Sequence, residues 1–290
     1  MSPFDDRPRN APKFIMVTGA SGGIGRATVG RLASAGHVVF AADLMDYDLA
    51  EELPRLHPVI LDVTEPSSID RAFDKVQAET GGYGLDVLVN VAGMMILGPV
   101  EAVPDDLVQR QFKVNVFGLL AVTRPFLPQM RERRAGRIVN VSSVLGRFAL
   151  PGSGLYSASK FAVEAISDAL RIELAPFGVR VVLVEPGVIE TPLYDKAAAS
   201  LPSYDQALEP YRATWPAGFG FPARLLKAAV PAERAGAALA RAALASRPRD
   251  RYRPGVRSRL NTWLLTALPV RATDRIKARI AHMANAPRRP

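Results

Sequence analysis

Cysteine is absent from the 290 residues. That excludes disulfides, thiolate nucleophiles and cysteine metal sites, and it is compatible with a reducing cytoplasm. No metal site is expected. Long apolar runs are also missing: no stretch of about 18 uncharged apolar residues occurs, so no membrane-spanning helix is expected. The opening MSPFDDRPRNAPK has no apolar stretch behind its charges, which argues against a secretory signal. Residues 1–12 read as a flexible leader. Solenoid repeats and low-complexity stretches are lacking. Acidic residues are scarce towards the end: residues 223–290 hold 16 Lys/Arg against 3 Asp/Glu, whereas residues 1–222 hold 21 against 25. The net charge of +9 therefore belongs to the tail and not to the body.

What is present is ordinary for a globular chain: 48% hydrophobic and 22% charged residues, enough for one large buried core. From Phe14 onward short apolar runs alternate with amphipathic segments. KFIMVTGA, HVVFAAD, HPVILDVT, LDVLVNVAG, GRIVNVSS and VRVVLVEPG read as six strands. GIGRATVGRLASAG, closed by Gly36, reads as a helix, as does SSIDRAFDKVQAET with Ser67 or Ser68 as its N-cap. A long helical pattern covers about residues 105–131, and GLYSASKFAVEAISDALRIEL forms another helix over residues 154–174. Continuous Val/Ile/Leu runs suit strands buried on both faces. Their alternation with helices indicates an α/β fold, a doubly wound parallel sheet of Rossmann type, within a single domain over residues 13–290.

After PGVIETPL the rhythm breaks. Residues 194–230 carry Tyr194, Tyr204, Tyr211, Trp215, Phe219 and Phe221 among prolines and glycines, which reads as a substrate lid. Residues 231–290 form a basic C-terminal extension. Three uses are open for it: contact with anionic lipid, nucleic-acid binding, or a helical extension that caps the pocket or meets another subunit. No nucleic-acid recognition module is present, and the capping extension is the favoured reading.

The chemistry starts at TGASGGIG, residues 18–25, between the first strand and first helix. Glycines there let backbone approach a pyrophosphate, while the helix N-terminus offers free N–H groups. Asp43 ends the second strand 18 residues after Gly25, close to the roughly 20 expected for the acid that bonds adenosine ribose hydroxyls. A carboxylate there repels a 2′-phosphate, and Leu44 supplies no cation to hold one. NAD(H) is therefore favoured, with NADP(H) left open.

With these motifs, LDVT, NVAG from Asn90, VNVFG around Asn115, VNVSS ending at Ser143, YSASK and PGVIET, the chain resembles the short-chain dehydrogenase/reductase family from about Lys13 to Leu193. Within it the pattern is closest to the retinol dehydrogenase and 17β-hydroxysteroid dehydrogenase branch, through SSVLGR, KFAVEAISDALR and Glu185 before Pro186. The resemblance implies hydride transfer between a nicotinamide and an alcohol or its carbonyl. It assigns Tyr156 as the acid and base, and Lys160 as its tuning partner and a holder of the nicotinamide ribose. Ser143 would bond the substrate oxygen, and Asn115 would hold a water leading to solvent. The neighbouring Lys160 charge favours the phenolate of a tyrosine whose free pKa is about 10.

Cofactor contacts are implied at Gly19, Ser21, Gly23, Ile24, Gly25, Asp43, Asp62, Val63, Asn90, Ala92 and Gly93. Pro186, Gly187, Val188, Ile189 and Thr191 join them, together with Tyr156 and Lys160. The family commonly carries two asparagines before Ala-Gly, and Val91 replaces the second, so altered bonding is expected in that loop. Met94, Met95, Ile96, Val144, Leu145, Phe148 and the lid aromatics, Tyr194 first, offer an apolar pocket for a lipophilic alcohol or ketone of steroid, retinoid or long-chain kind. The branch implies a homodimer or homotetramer built on the helices around residues 105–131 and 156–174. A cytoplasmic location is expected, peripheral to a membrane if the tail meets lipid. A non-catalytic dinucleotide sensor on the same fold is the rival reading, although all four members of the implied tetrad are present.

Overall fold

The computed structural model describes residues 11–45, 55–216 and 218–281. The apolar runs become strands β1 (Phe14–Thr18), β2 (Val38–Asp43), β3 (Leu56–Ile60), β4 (Val87–Asn90), β5 (Gly136–Val141) and β6 (Val179–Val184). A seventh, β7 (Arg251–Tyr252), joins them in one parallel sheet of order β3-β2-β1-β4-β5-β6-β7. The chain builds outward from β1 to β3, then returns to place β4 on the other side of β1. That reversal opens a crevice at the carboxyl ends of β1 and β4, where such sheets bind ligands.

Between and after the strands run helices α1 (Gly23–Ser34), α2 (Pro66–Thr80), α3 (Asp105–Phe112), α4 (Leu119–Thr123), α5 (Leu127–Glu132) and α6 (Gly154–Leu174). The C-terminal part adds α7 (Leu193–Ala198), α8 (Asp205–Leu208), α9 (Ala223–Leu226), α10 (Ala232–Leu244), α11 (Val256–Ala267) and α12 (Val270–Ile280). Alternate side chains leave the sheet on opposite faces. Ile15, Val17, Val39 and Val89 pack under α1 and α10, while Met16, Phe40, Leu88 and Ile138 pack under α2, α4, α5 and α6. Burying each such side chain contributes about 1.5–3 kcal/mol, and this two-sided burial is why the strands read as unbroken apolar runs.

Three local expectations are corrected. The helix over 105–131 is not continuous: a π turn at Lys113–Gly118 and a 3-10 turn at Arg124–Phe126 separate α3, α4 and α5. Pro125 and Pro128 lack the N–H that an unbroken ladder needs there. Neither Ser67 nor Ser68 caps α2; Glu65 holds that position ahead of Pro66, and Ser68 Oγ accepts from the Asp62 N–H at 3.0 Å. The strand β7 was not expected at all. It pairs with β6 through Leu183 N–H to the Asp250 carbonyl (2.9 Å) and Glu185 N–H to the Tyr252 carbonyl (2.8 Å). No helix among the described residues is long and apolar enough to cross a membrane. The leader, residues 1–10 of it, and the last nine residues of the tail lie outside the described residues.

Candidate active site

The turn from β1 into α1 lies against the end of β4, and only bare backbone fits there. Gly19 has φ +66°, and a Cβ on it would meet the Ala92 nitrogen at 2.8 Å. A Cβ on Gly25 would overlap the Gly19 carbonyl oxygen at 2.0 Å. Gly22 caps α1 with no side-chain hydrogen bond, so no side chain competes for the first N–H groups of the helix. Gly23 lies beside the Thr191 methyl, which brings the PGVIET segment to the same turn.

Asp43 reaches the turn from the end of β2. Its Oδ2 accepts from the Ser21 N–H (2.8 Å) and hydroxyl (2.7 Å), and its Oδ1 from the Leu44 N–H (2.7 Å). Asp62 Oδ1 holds the Thr64 N–H and hydroxyl at 2.8 and 2.7 Å, and Val63 packs on Gly118 of the π turn. Asn90 ends β4 beside the turn. Its amide donates to Thr123 Oγ1 (3.1 Å) and Asn140 Oδ1 (2.9 Å), so its side chain ties β4 to α4 and β5. At the replaced position, the Val91 and Ala92 N–H groups both donate to Thr18 Oγ1 at 3.1 Å. Bare backbone, free helix N–H groups and a ribose-side carboxylate together fit a dinucleotide.

Ser143, Tyr156, Lys160 and Asn115 come together beyond the end of β5. The Ser143 hydroxyl accepts from the Leu145 N–H at 3.1 Å, which starts a 3-10 turn at Val144–Gly146 and holds the serine at the site. Ser142 turns the other way, its hydroxyl 3.5 Å from the Lys160 carbonyl. Four-residue spacing on α6 stacks Tyr156 and Lys160, and both are buried. Lys160 Nζ donates to the Val141 carbonyl at 3.0 Å. Asn115, in the π turn, donates to Ser159 Oγ (3.0 Å) and the Met94 carbonyl (2.9 Å) and accepts from the Met94 N–H (2.8 Å). A π turn inside a helix frequently marks a functional position, and here it aims the asparagine at α6.

Burial governs the electrostatics of the pair. Burial holds the Tyr156 phenol above its ordinary value, Tyr194 adds to this, and a hydrogen bond with Ser143 opposes it. Burial also pushes Lys160 down to about 8, against the attraction of Glu164. Both groups are shut away from water, and desolvation disfavours the charged form of each. Tyr194 is itself pushed up to about 12 by burial.

These residues open on a cavity of about 260 Å³. Met95, Leu145, Phe148 and Tyr194 line it as expected from sequence, with Val144 beside them. So do Ile24, Gly93, Pro186, Gly187, Val188, Ile189 and Thr191 among the expected cofactor contacts. Val230 clamps that last segment, donating to the Val188 carbonyl and accepting from the Glu190 N–H at 2.9 and 3.0 Å. Met94 and Ile96 pack instead with Tyr204, Trp215 and Phe219 in a separate cluster. Of the lid aromatics, Tyr194 and Phe221 face the cavity, their rings 4.7 Å apart. The basic extension closes the cavity with Leu264 and Leu265 of α11, part of the apolar patch in the arginine-rich tail, and with Thr262 of α11 and Ile276 and Ile280 of α12, which the sequence reading did not single out.

Comparison with known proteins agrees with this geometry. The family model described as short chain dehydrogenase matches residues 13–201. Mouse retinol dehydrogenase 5 is 36% identical over 91% of this chain and 87% of its own length. The 3-ketodihydrosphingosine reductase of Bacteroides thetaiotaomicron is 39% identical over 63% of this chain, and the match spans 66% of that protein. Among solved structures, a short-chain dehydrogenase from Streptomyces avermitilis superimposes with TM-score 0.73 at 32% identity, covering 94% of this chain and 96% of that one. A short chain dehydrogenase from Burkholderia cenocepacia in complex with NADP gives 0.69 at 27%, over 93% of this chain and 97% of that one. With its seven-stranded parallel sheet, its glycine turn and its Ser143, Tyr156 and Lys160 grouping, this chain belongs to the short chain dehydrogenase family of oxidoreductases.

Proposed function

We propose that the protein interconverts a lipophilic alcohol and its ketone or aldehyde with NAD(H). The observation that carries this reading is the convergence of Ser143, Tyr156 and Lys160 on an apolar cavity bordered by the Gly93 and Pro186–Ile189 backbone. A nicotinamide bound there supplies the hydride donor or acceptor. The Tyr156 hydroxyl gives its proton to the substrate oxygen during reduction and recovers it during oxidation. The Ser143 hydroxyl orients the same oxygen and steadies the phenolate. Lys160 contributes a positive charge beside the phenol, and Asn115 fixes the Met94 backbone and Ser159 next to that lysine. The apolar walls exclude water from the reacting atoms.

NAD(H) is favoured over NADP(H) because the Asp43 carboxylate faces the turn and the described residues that follow it, Leu44 and Met45, carry no charge. The steroid, retinoid or long-chain class is supported by the cavity lining and by the names of two relatives, a retinol dehydrogenase and a 3-ketodihydrosphingosine reductase. A panel of lipophilic alcohols and ketones, followed by nicotinamide absorbance with both cofactors in parallel, tests the assignment. Turnover confined to sugars would overturn the substrate class.

A cytoplasmic location fits the same reading, and the exposed Leu260 and Trp263 of α11 support contact with anionic lipid as the alternative use of the basic extension beside its capping role. Flotation with vesicles containing phosphatidylserine, compared with a chain ending at Pro222, tests that contact. A homodimer or homotetramer is supported by the exposed Phe117, Phe161 and Ile172 on the π turn and α6, and light scattering of the full chain measures it.

A further inference from the structure

The segment that leaves the end of β4, residues 93–98, forms no helix or strand, yet it builds part of the cavity wall. Its side chains alternate as in an extended chain. Met95 lines the cavity and, with Leu97, belongs to the cluster that holds Leu145, Phe148 and Tyr156. Met94 and Ile96 turn the other way and pack with Tyr204, Trp215 and Phe219.

Buried backbone outside a ladder needs other hydrogen-bond partners, and α3 with its π turn supplies them. Asn115 accepts from the Met94 N–H at 2.8 Å and donates to the Met94 carbonyl at 2.9 Å. Four residues earlier, Gln111 Oε1 accepts from the Ile96 N–H at 2.6 Å. The Tyr204 hydroxyl donates to the Leu97 carbonyl, and the Gly98 N–H donates to the Gly152 carbonyl at 2.8 Å. Met95 is thus bracketed: side-chain amides pin the backbone at the residue before it and the residue after it.

Gln111 is fully buried, and its Nε2 has no hydrogen-bond partner among the described residues. A buried amide with an unpaired donor lowers stability, and leucine or methionine would fill the same space without that donor. The amide oxygen has a single use, the N–H next to Met95. Methionine is unbranched and adapts to irregular gaps, so its direction depends on how firmly its backbone is held. Gln111 itself stands behind the wall and does not line the cavity. We propose that Gln111 is a positioning residue for substrate selection: by holding the Ile96 N–H it keeps Met95 turned into the cavity and so limits the width of the substrate. This rests on the oxidoreductase reading above.

Steady-state kinetics of the full chain with NAD test the inference on secondary alcohols of increasing girth, from 2-dodecanol to androsterone. The readout is the ratio of kcat/KM for the widest and narrowest alcohols that the wild type turns over. Gln111→Met, similar in length but without the acceptor, should shift that ratio about tenfold towards the wide alcohol, chiefly through KM, with NADH affinity within about twofold of wild type. Met95→Ala should shift it in the same direction. The two together should shift it no further than Met95→Ala alone, because Gln111 then has no side chain to direct. Gln111→Glu keeps an oxygen for the Ile96 N–H and should stay within about threefold of wild type. A wild-type ratio in Gln111→Met, additive shifts in the double variant, a Gln111→Glu shift as large as that of Gln111→Met, or a loss of NADH affinity that matches the loss of turnover overturns this inference alone. A ratio that Met95→Ala leaves unchanged overturns it whatever the Gln111 variants do. Absence of turnover by the wild type throughout the series overturns the oxidoreductase reading and this inference with it.

Discussion

Lys160 Nζ lies 5.8 Å from the centre of the Tyr156 ring and spends a hydrogen bond on the Val141 carbonyl, which ties the lysine to the end of β5. Ser143 is the neighbour that favours the charged form of the phenol. Removing the phenol hydroxyl while leaving the ring should therefore abolish proton transfer and spare the fold. Tyr156→Phe is expected to lower kcat by about 10²–10⁴-fold, the usual worth of a general acid and base. NADH affinity, measured by fluorescence on the same sample, should stay close to wild type. Loss of both together would mean that Tyr156 holds the cofactor and not the proton.

Lys160 should also leave a signature in stability. Its folded pKa of about 8 lies below the ordinary 10.5. Between those values the unfolded chain keeps a proton that the folded chain has released, so stability should rise with pH across that window. Below pH 8 the buried ammonium costs the fold on the order of 2–3 kcal/mol. The raised Tyr156 acts with the opposite sign: above about pH 10 the unfolded chain loses a proton that the fold retains, and stability falls. Lys160→Met should raise stability in urea at pH 7 by about 1–2 kcal/mol, once the lost hydrogen bond to Val141 is set against the relieved burial. It should also flatten the rise between pH 8 and 10. An unchanged slope in the variant would show that Lys160 is not the group responsible.

The sheet and the grouping of Ser143, Tyr156 and Lys160 on one cavity were readable because each is coded locally. Two-sided burial turns strands into Val/Ile/Leu runs, and the glycine turn and the Tyr156–Lys160 spacing are short patterns. What escaped depends on distant partners. Arg251 and Tyr252 carry no strand signal, and β7 exists because β6 offers an open edge and Glu185 a buried charge. The side-chain partners of Asn90, Thr123 and Asn140, stand 33 and 50 residues away, so its tie to α4 and β5 leaves no local pattern. The burial of Tyr156 and Lys160 is likewise not visible in a spacing of four residues.

Gly25 should tolerate no side chain. Its Cβ would lie 2.0 Å from the Gly19 carbonyl oxygen, a backbone atom that cannot move aside without shifting the turn against Ala92. Gly25→Ala is expected to weaken NADH binding by about 100-fold or more, because one displaced turn separates backbone N–H groups from phosphate. Gly30, with nothing within 4 Å of its Cβ position, is the control on the same helix. Gly30→Ala should bind normally and gain up to about 1 kcal/mol of stability.

The proposed preference for NAD(H) rests on Asp43. Replacing it with Ala and Leu44 with Arg removes the repulsion and adds a cation for a 2′-phosphate. The ratio of NAD to NADP dissociation constants should shift towards NADP by about 100-fold or more, on the order of 3 kcal/mol. The hydrogen bonds from Ser21 and Leu44 to the carboxylate are lost as well, so some weakening of both cofactors is expected. Equal weakening of both, with no change in their ratio, would show that Asp43 shapes the turn without reading the ribose.

Trp215 joins the lid to the far end of the chain. Its Nε1 donates to the Ala281 carbonyl at 2.9 Å, and its ring meets Phe219 edge-on at 5.6 Å, with both side chains buried. Ala281 follows α12, whose Ile276 and Ile280 line the cavity, so the tryptophan fastens one wall of the pocket to the segment leading to Phe221 on another. Truncating a buried tryptophan typically costs about 3–5 kcal/mol, and the loss falls on the segment it holds. Trp215→Ala should therefore loosen the lid while the sheet stays folded. KM for a lipophilic substrate is expected to rise by about tenfold or more with little change in kcat, since the reacting groups stand on α6 and β5. Limited proteolysis should show new cuts near residues 210–222. Trp215→Phe keeps most of the packing but loses the bond to Ala281, and its KM should fall between the two. A drop in kcat at unchanged KM would instead place Trp215 in the support of the reacting groups.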